Sequence, residues 1–339
     1  MNNTPSNKFL LLVLVLLVSF FFSLSQGSGG IGIQELYLSV FSNAGNAEAQ
    51  TILIDFRLPK SIAAMCCGIS LSICGLMMQT LFRNPLAGPY ILGINSGANL
   101  FVSVFILGTT NLGMELSGFL RNLGVPTFGI LGSVITLTII LIFSIRIKNT
   151  NTLLLIGIML GFLYSATQGI LEFFSNPEDL KKFTLWSMGN FSHISWNELM
   201  IFVPMSILLL FLSILFVKGM DNFLLGEEYA KASGINLLKV RWIILLITGV
   251  LSGLTVAFCG PIAFVGLIIP HLARIIFKTS RHVILLPASA LLGCFLLLIC
   301  DGLGSLFTEN FTIPINIITS LLGAPFTIWL LMRKNNQFH

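Results

Sequence analysis

Hydrophobic residues occur along this chain in long runs, and polar residues are concentrated in the short stretches between them. The runs are roughly 17–25 residues long, the length at which an α-helix crosses a bilayer with its backbone hydrogen bonds satisfied internally. The pattern therefore predicts an all-α polytopic membrane protein with about ten transmembrane helices. The predicted spans are 9–24, 61–81, 91–107, 125–145, 153–174, 196–217, 242–259, 262–277, 283–302 and 314–332.

The composition agrees with this pattern. Hydrophobic residues make up 55% of the 339 residues, charged residues only 9%, and the mean hydropathy is +0.95. A soluble domain would carry about 25% charged residues. We therefore interpret residues 1–339 as a single transmembrane domain.

The lysines and arginines predict the orientation, because basic residues are more numerous on the cytoplasmic side of a membrane. An even number of spans puts both termini on one side, and both are predicted to be cytoplasmic. The basic residues then on the inner side are Lys8, Arg83, Arg146, Lys148, Lys218, Lys231, Lys239, Arg241, Arg274, Lys278, Arg281, Arg333 and Lys334, and those on the outer side are Arg57, Lys60, Arg121, Lys181 and Lys182. This bias explains the net charge of +5 without a nucleic-acid partner.

The first apolar run has a second interpretation as a secretory signal. Lys8 precedes its apolar core, and Ser25, Gln26 and Gly27 are small or polar. Polytopic proteins usually retain such a segment as their first span, and this is the interpretation that we adopt.

Two predicted spans are interrupted by glycine and proline. Residues 84–98 read NPLAGPYILGINSGA, and residues 260–274 read GPIAFVGLIIPHLAR. Broken backbone at membrane depth is tolerated only where protein or a water-filled cavity satisfies it. Corresponding interruptions in the two halves of a chain indicate a duplicated unit and a transport path.

Two polar segments lie between spans. Residues 175–195 follow the fifth span on the outer side and are predicted to form short gate helices, the alternative being a plain connecting loop anchored by Trp186 and Trp196. Residues 218–241 include the charged stretch LLGEEYAKASGIN on the inner side. A transporter that is driven by another protein needs such a rigid cytoplasmic contact segment.

Several chemical motifs do not occur in the sequence. It contains neither GxxxxGK[ST] nor HExxH, and its six cysteines lie in apolar spans without pairing or metal-ligand spacing. Glu172 and Asp301 are predicted near the outer ends of spans, whereas ion-coupled carriers usually place a carboxylate at the midplane. The residues therefore indicate a conduit without ATP hydrolysis, cofactor or metal of its own.

Four ordered motifs carry a resemblance to a known family. They are RLPKSIAAMCCGISLSICGLMMQTLFRNPLAGPYILGINSGA from Arg57, LGEEYAKASGIN from Leu225, GPIAFVGLIIPHLAR from Gly260 and LGAPFTIWLL from Leu322. The chain resembles the FecCD-type permeases of vitamin B12 and iron-siderophore ABC importers. The resemblance covers nearly the whole chain after the first span.

The resemblance implies partners and site residues. Two copies would form a homodimer in the bacterial inner membrane, with two ATPase subunits inside and a substrate-binding protein outside. The implied ATPase-coupling residues are Leu225, Gly226, Glu227, Glu228, Ala230, Lys231 and Gly234. The implied cytoplasmic gate residues are Asn84, Pro85, Leu86, Thr150 and Asn151. Arg57 and Lys60 match positions that meet acids of the binding protein, although they also suit membrane anchoring, and Ser305 replaces a third basic position.

The function implied is ATP-driven import of an iron(III)-siderophore by alternating access. Cobalamin and heme are the alternative substrates, because the binding protein does most of the selecting. Two other classes are an ion-coupled secondary transporter, whose midplane carboxylates are missing, and an intramembrane enzyme, whose converging catalytic groups are not apparent.

Overall fold

The computed structural model describes residues 5–27, 47–111, 118–147, 149–225, 234, 236–306 and 312–333, and all regular structure in these ranges is helical. The helices are α1 (Pro5–Ser25), α2 (Ala47–Thr51), α3 (Leu58–Phe82), α4 (Ile94–Asn111), α5 (Gly118–Arg146), α6 (Thr150–Phe173), α7 (Pro177–Ser187), α8 (Trp196–Leu215), α9 (Val217–Leu225), α10 (Leu237–Cys259), α11 (Val265–Phe277), α12 (His282–Leu306) and α13 (Ile315–Arg333). A π-helical turn, Ile52–Arg57, joins α2 to α3, and a 3₁₀ turn, Pro89–Leu92, precedes α4.

The helices match the predicted spans. Within the described ranges, seven helices are long and apolar enough to cross a membrane, and three shorter apolar helices, α4, α11 and α13, complete the ten runs. The all-helical polytopic fold class is therefore confirmed. The structure contains no membrane, so the side on which the termini lie stays a prediction.

Helix α3 is the centre of the bundle. The continuous helical stretch Glu48–Phe82 includes α2 and α3. In its most apolar 18-residue window 83% of the residues are buried, whereas in the corresponding window of α6 only 17% are buried. Helix α12 runs antiparallel to α3, and their backbones meet at two glycines, since a Cβ on Gly68 would lie 2.3 Å from the carbonyl oxygen of Gly293. Small residues permit this close approach of membrane helices, which dispersion and backbone contacts then stabilise.

The two predicted interruptions are real breaks in the backbone. The first contains the 3₁₀ turn and Gly93, whose φ is 72°. In the second, Gly260 and Phe264 have φ values of 74° and 67°, and α11 therefore begins at Val265 and not at the predicted residue 262. The two breaks lie side by side against α3, because a Cβ on Gly266 would be 2.9 Å from Cδ of Pro89.

Contacts between distant residues define one end of the bundle. Lys8 Nζ donates to the carbonyl of Ile276 at 2.7 Å, and Arg274 donates to Gln79 Oε1 at 2.5 Å. These contacts join the start of α1 and the end of α11 to the end of α3. Lys8, Arg83 and Arg274, which were predicted to share the inner side, thus lie at one end of the bundle, and Arg57 and Lys60 lie at the opposite end of α3.

Candidate functional site

The predicted gate residues are brought together in one cleft. Asn84, Thr150 and Asn151 line a cleft of about 730 Å³ between the end of α3 and the start of α6, with Leu81, Phe82, Arg83 and Asn149 as the other lining residues. Pro85 and Leu86 belong to the adjoining turn, where the amide of Leu86 donates to Asn84 Oδ1 at 3.0 Å, and they are not among the lining residues. The gating role of all five stays a prediction.

Local sequence explains why both walls of the cleft end where they do. Helix α6 begins after Asn149, whose Oδ1 accepts from the amides of Asn151 at 2.9 Å and Thr152 at 3.4 Å, as an N-cap asparagine does. Helix α3 ends at Arg83, which takes the left-handed conformation with φ of 46°. Uncharged amide and hydroxyl side chains, together with the charged side chain of Arg83, therefore line the cleft from two helix ends.

Arg241 fixes the α6 side of the cleft. Its guanidinium is buried and donates to the carbonyl of Ile147 at 3.1 Å and to Thr150 Oγ1 at 3.3 Å. Because Ile147 follows α5 and Arg241 lies in α10, one side chain holds three helices at this wall. The sequence analysis counted Arg241 only as a basic residue of the inner side.

Helix α9 fixes the α3 side. Arg83 Nε donates to the carbonyl of Phe223 at 3.0 Å. Asp221 Oδ1 accepts from the backbone amide of His282 at 2.9 Å and lies 2.6 Å from Nδ1 of the same residue. His282 Nε2 lies 2.7 Å from Thr80 Oγ1 in the last turn of α3.

Sequence reasoning missed the roles of Asp221, His282 and Thr80. No role was assigned to any of the three from the sequence, although Asp221 lies within the inner segment 218–241. The available signal was that Asp221 is separate from the other two acids of that segment, Glu227 and Glu228, and that His282 immediately precedes a predicted span. The sequence could not show that these positions meet.

Both predicted docking residues bind other groups of the same chain. Lys60 Nζ lies 2.9 Å from Asp301 Oδ1 and donates to Ser305 Oγ at 2.9 Å, and Asp301 Oδ2 accepts from Ser23 Oγ at 2.8 Å. Arg57 is buried, and its guanidinium donates to backbone carbonyls at the end of α1. Their role in docking a binding protein stays a prediction.

Most of the predicted coupling residues lie outside the described residues, namely Gly226, Glu227, Glu228, Ala230 and Lys231. Leu225 is the last residue of α9, and Gly234 has φ of 76°, in the left-handed region that glycine adopts readily. Helix α9 belongs to the predicted segment 218–241. The coupling role of the segment stays a prediction.

The outer segment 175–195 contains a helix, so it is more than a plain loop. Helix α7 begins after Asn176, whose Oδ1 accepts from the amide of Asp179 at 2.9 Å. The turn after α7 is tied to α13, because the amide of Ile315 donates to the carbonyl of Gly189 at 3.2 Å. Its role as a gate stays a prediction.

Comparisons with known proteins identify the family. The profile of the FecCD transport family matches residues 15–333. The hemin transport system permease protein HmuU of Yersinia pestis is 35% identical and covers 97% of this chain and 96% of its own length. The vitamin B12 import system permease protein BtuC of Serratia proteamaculans is 36% identical, over 96% of this chain and 92% of its own.

Two further comparisons extend the likeness. The iron-uptake system permease protein FeuC of Bacillus subtilis is 31% identical over 97% of this chain and 98% of its own. A solved ABC transporter, described as of metal-chelate type and in an inward-facing conformation, superposes with a TM-score of 0.84 at 30% identity, over 97% of this chain and 99% of its own. From the all-helical fold and these matches, the chain belongs to the FecCD transport family.

Proposed function

We propose that this chain is the membrane-spanning permease subunit of an ABC importer that carries iron(III)-siderophore chelates inward across the bacterial inner membrane. The observation that carries the proposal is the cleft in which Asn84, Thr150 and Asn151 meet. These uncharged side chains suit a gate that a bulky chelate passes without binding tightly. ATP would be hydrolysed by two partner subunits, and a binding protein outside the membrane would deliver the substrate.

The names of the relatives support a large metal chelate or corrinoid as substrate. They include permeases for hemin, for vitamin B12 and for iron(3+)-hydroxamate, the last being FhuG of Bacillus subtilis at 33% identity. We favour an iron(III)-siderophore, and cobalamin and heme remain the alternatives.

Two exposed helices support a homodimer with a shared pathway. Beyond its first turn, the exposed positions of α8 are all apolar, for example Met200, Leu208 and Phe211, as expected of a lipid-facing surface. The exposed positions of α6 include Ser165 and Thr167 as well as apolar residues. Exposed polar groups at membrane depth favour a water-filled path beside α6. A second copy of the chain would close the other side of that path.

The mechanism proposed is alternating access. Closure of the ATPase pair would move segment 218–241, and the helix ends on either side of the cleft would separate or approach. Packed helices switch between discrete arrangements, which is how a small movement at one contact opens one end of a path and closes the other.

Uptake by the reconstituted complex tests the proposal. The tagged chain is purified with its native partners and placed in liposomes loaded with ATP, and uptake of ferrichrome, cyanocobalamin and hemin is compared. We expect ATP-dependent uptake of ferrichrome that is lost when Glu227, Glu228 and Lys231 are replaced by alanine. Uptake driven by a sodium or proton gradient, by the chain without an ATPase, would instead identify a secondary transporter.

A further inference from the structure

We propose that Asp221, His282 and Thr80 form a positioning link that transmits movement of α9 to the end of α3 at the cleft. The three residues lie on three different helices and are separated by more than 60 residues in the chain. The link rests on the proposed function, because α9 belongs to the segment on which the ATPase partner is expected to act.

The link joins a partly exposed group to a fully buried one. The side chain of Asp221 is 35% exposed, and that of His282 is 0% exposed. Asp221 accepts from both the backbone amide and the ring of His282. The carboxylate therefore holds both the backbone at the start of α12 and the imidazole in position. Because the ring is buried, water cannot replace the hydrogen bond to Asp221 or to Thr80 if either is lost.

Hydrogen-bond chemistry requires both ring nitrogens of His282. An ionised carboxylate only accepts, so Nδ1 carries a proton and donates to Asp221. Nε2 then either accepts from the Thr80 hydroxyl or, in the imidazolium, donates to it while that hydroxyl donates to the carbonyl of Leu76. In both arrangements His282 connects α9 to the last turn of α3.

A second contact makes the connection stiff. Arg83 Nε donates to the carbonyl of Phe223, two residues after Asp221 on α9. Met220 and Phe223 of α9 are also buried, at 0% and 1% exposure. Because Arg83 itself lines the cleft, α9 is attached to the cleft wall at two points, and a displacement of α9 cannot leave that wall in place.

The polar side chain next to Thr80 on α3 is engaged with a different helix. Gln79, one residue before Thr80, is engaged by Arg274 at 2.5 Å and donates to the carbonyl of Leu267 at 3.0 Å. Those contacts tie α3 to α11, which is a different helix from α9. Loss of the Thr80 hydroxyl is therefore expected to release the last turn of α3 from His282 and Asp221, while Arg83 still binds Phe223 and the attachment of α3 to α11 persists.

The experiment uses the complete importer complex in liposomes and compares Thr80→Val with Thr80→Ser. Valine has the shape of threonine without the hydroxyl, and serine keeps the hydroxyl. Two quantities are measured: ferrichrome imported per ATP hydrolysed, and the distance between spin labels on Tyr90→Cys in the two copies, with and without ATP and vanadate. Tyr90 is exposed and lies in the 3₁₀ turn that follows α3, whereas the six native cysteines are buried.

We expect Thr80→Val to hydrolyse ATP at a rate close to that of the unsubstituted complex. Its import per ATP should fall about fivefold or more, and most of the ATP-dependent change in label distance should disappear. Thr80→Ser should restore both. Asp221→Asn, which keeps an acceptor but loses the charge, should be intermediate.

Ser206→Ala is the matched control, because it removes a different buried hydrogen bond of α3, the one between Ser206 and Ser70 at 3.2 Å. If Thr80→Val keeps both import per ATP and the change in distance, or behaves as Ser206→Ala does, the link is wrong. If the unsubstituted complex shows no ATP-driven import, the proposed function fails, whatever the variants do.

Discussion

Helices α3 and α12 are fastened to each other at both ends by buried polar groups, and the two ends differ in kind. At one end Lys60 and Asp301 form an ion pair whose side chains are 10% and 2% exposed. At the other end His282 bridges Thr80 and Asp221, whose carboxylate is 35% exposed. From Lys60 to Thr80 is 20 residues of helix, or about 30 Å, which is close to the thickness of the hydrocarbon core.

The difference shows how one rigid helix pair can serve two purposes. The Lys60 end joins α1, α3 and α12, all of which belong to the packed body. The Asp221 end joins the same pair to a short helix beside the cleft. We therefore expect substitutions at the Lys60 end to change mainly stability, and those at the His282 end to change mainly the coupling of ATP to import.

The largest effect is expected from breaking the Lys60 end. Lys60→Met leaves Asp301 charged, buried and unpaired, and should lower the free energy of unfolding by about 3–5 kcal/mol. Thermal unfolding of the purified protein in detergent measures this. The double variant Lys60→Met with Asp301→Leu should recover most of the loss, because no charge is then stranded.

The double variant also separates stability from docking. If it is stable yet ferrichrome import remains low when binding protein is limiting, Lys60 has a role beyond the ion pair. A single variant that is as stable as the double would contradict the ion-pair interpretation.

A smaller effect is expected midway between the two ends. Gly68→Ala places a methyl group against the backbone of Gly293 and should destabilise the protein by about 1–3 kcal/mol, with both ends affected. Gly169→Ala, on α6, is the matched control, because no atom lies within 4 Å of its added Cβ. Equal melting temperatures for the two variants would show that α3 and α12 are not in backbone contact.

The smallest effects are expected from two helix N-caps at opposite ends of the bundle. Asn149→Ala and Asn176→Ala each remove an N-cap and should each cost about 1 kcal/mol of stability. Only Asn149 lines the cleft, so only Asn149→Ala should also alter ferrichrome import per ATP. Asn149→Asp, which retains a capping oxygen, is expected to keep the stability. If both alanine variants change import equally, the cleft has no special role.

The fold class was predictable because each transmembrane helix is encoded locally. Ten apolar runs gave ten helices, and glycine and proline marked both breaks in the backbone. The start of α11 was misplaced by three residues because residues 262–264 are apolar but non-helical, with Phe264 in a left-handed conformation. Hydropathy does not register backbone conformation.

The polar contacts between helices were not predictable in the same way. Lys60 and Asp301 are 241 residues apart, and Asp221 and His282 are 61 apart. Nothing local to either residue reveals its partner, because which helices become neighbours is decided by packing of the whole bundle. The predicted gate residues came only from the family resemblance, which pointed to two turns, and the fold places three of the five in one cleft.

Helix α1 has a consequence for biogenesis. It is only 17% buried along its most apolar stretch, yet Lys8 bonds to Ile276 and Ser23 bonds to Asp301, partners 268 and 278 residues later in the chain. At roughly 5–20 residues per second, a ribosome needs about 15–55 s to synthesise the intervening chain. During that delay α1 has to reside in lipid without its partners on α11 and α12, which a helix whose only charged side chain is near its first turn can do.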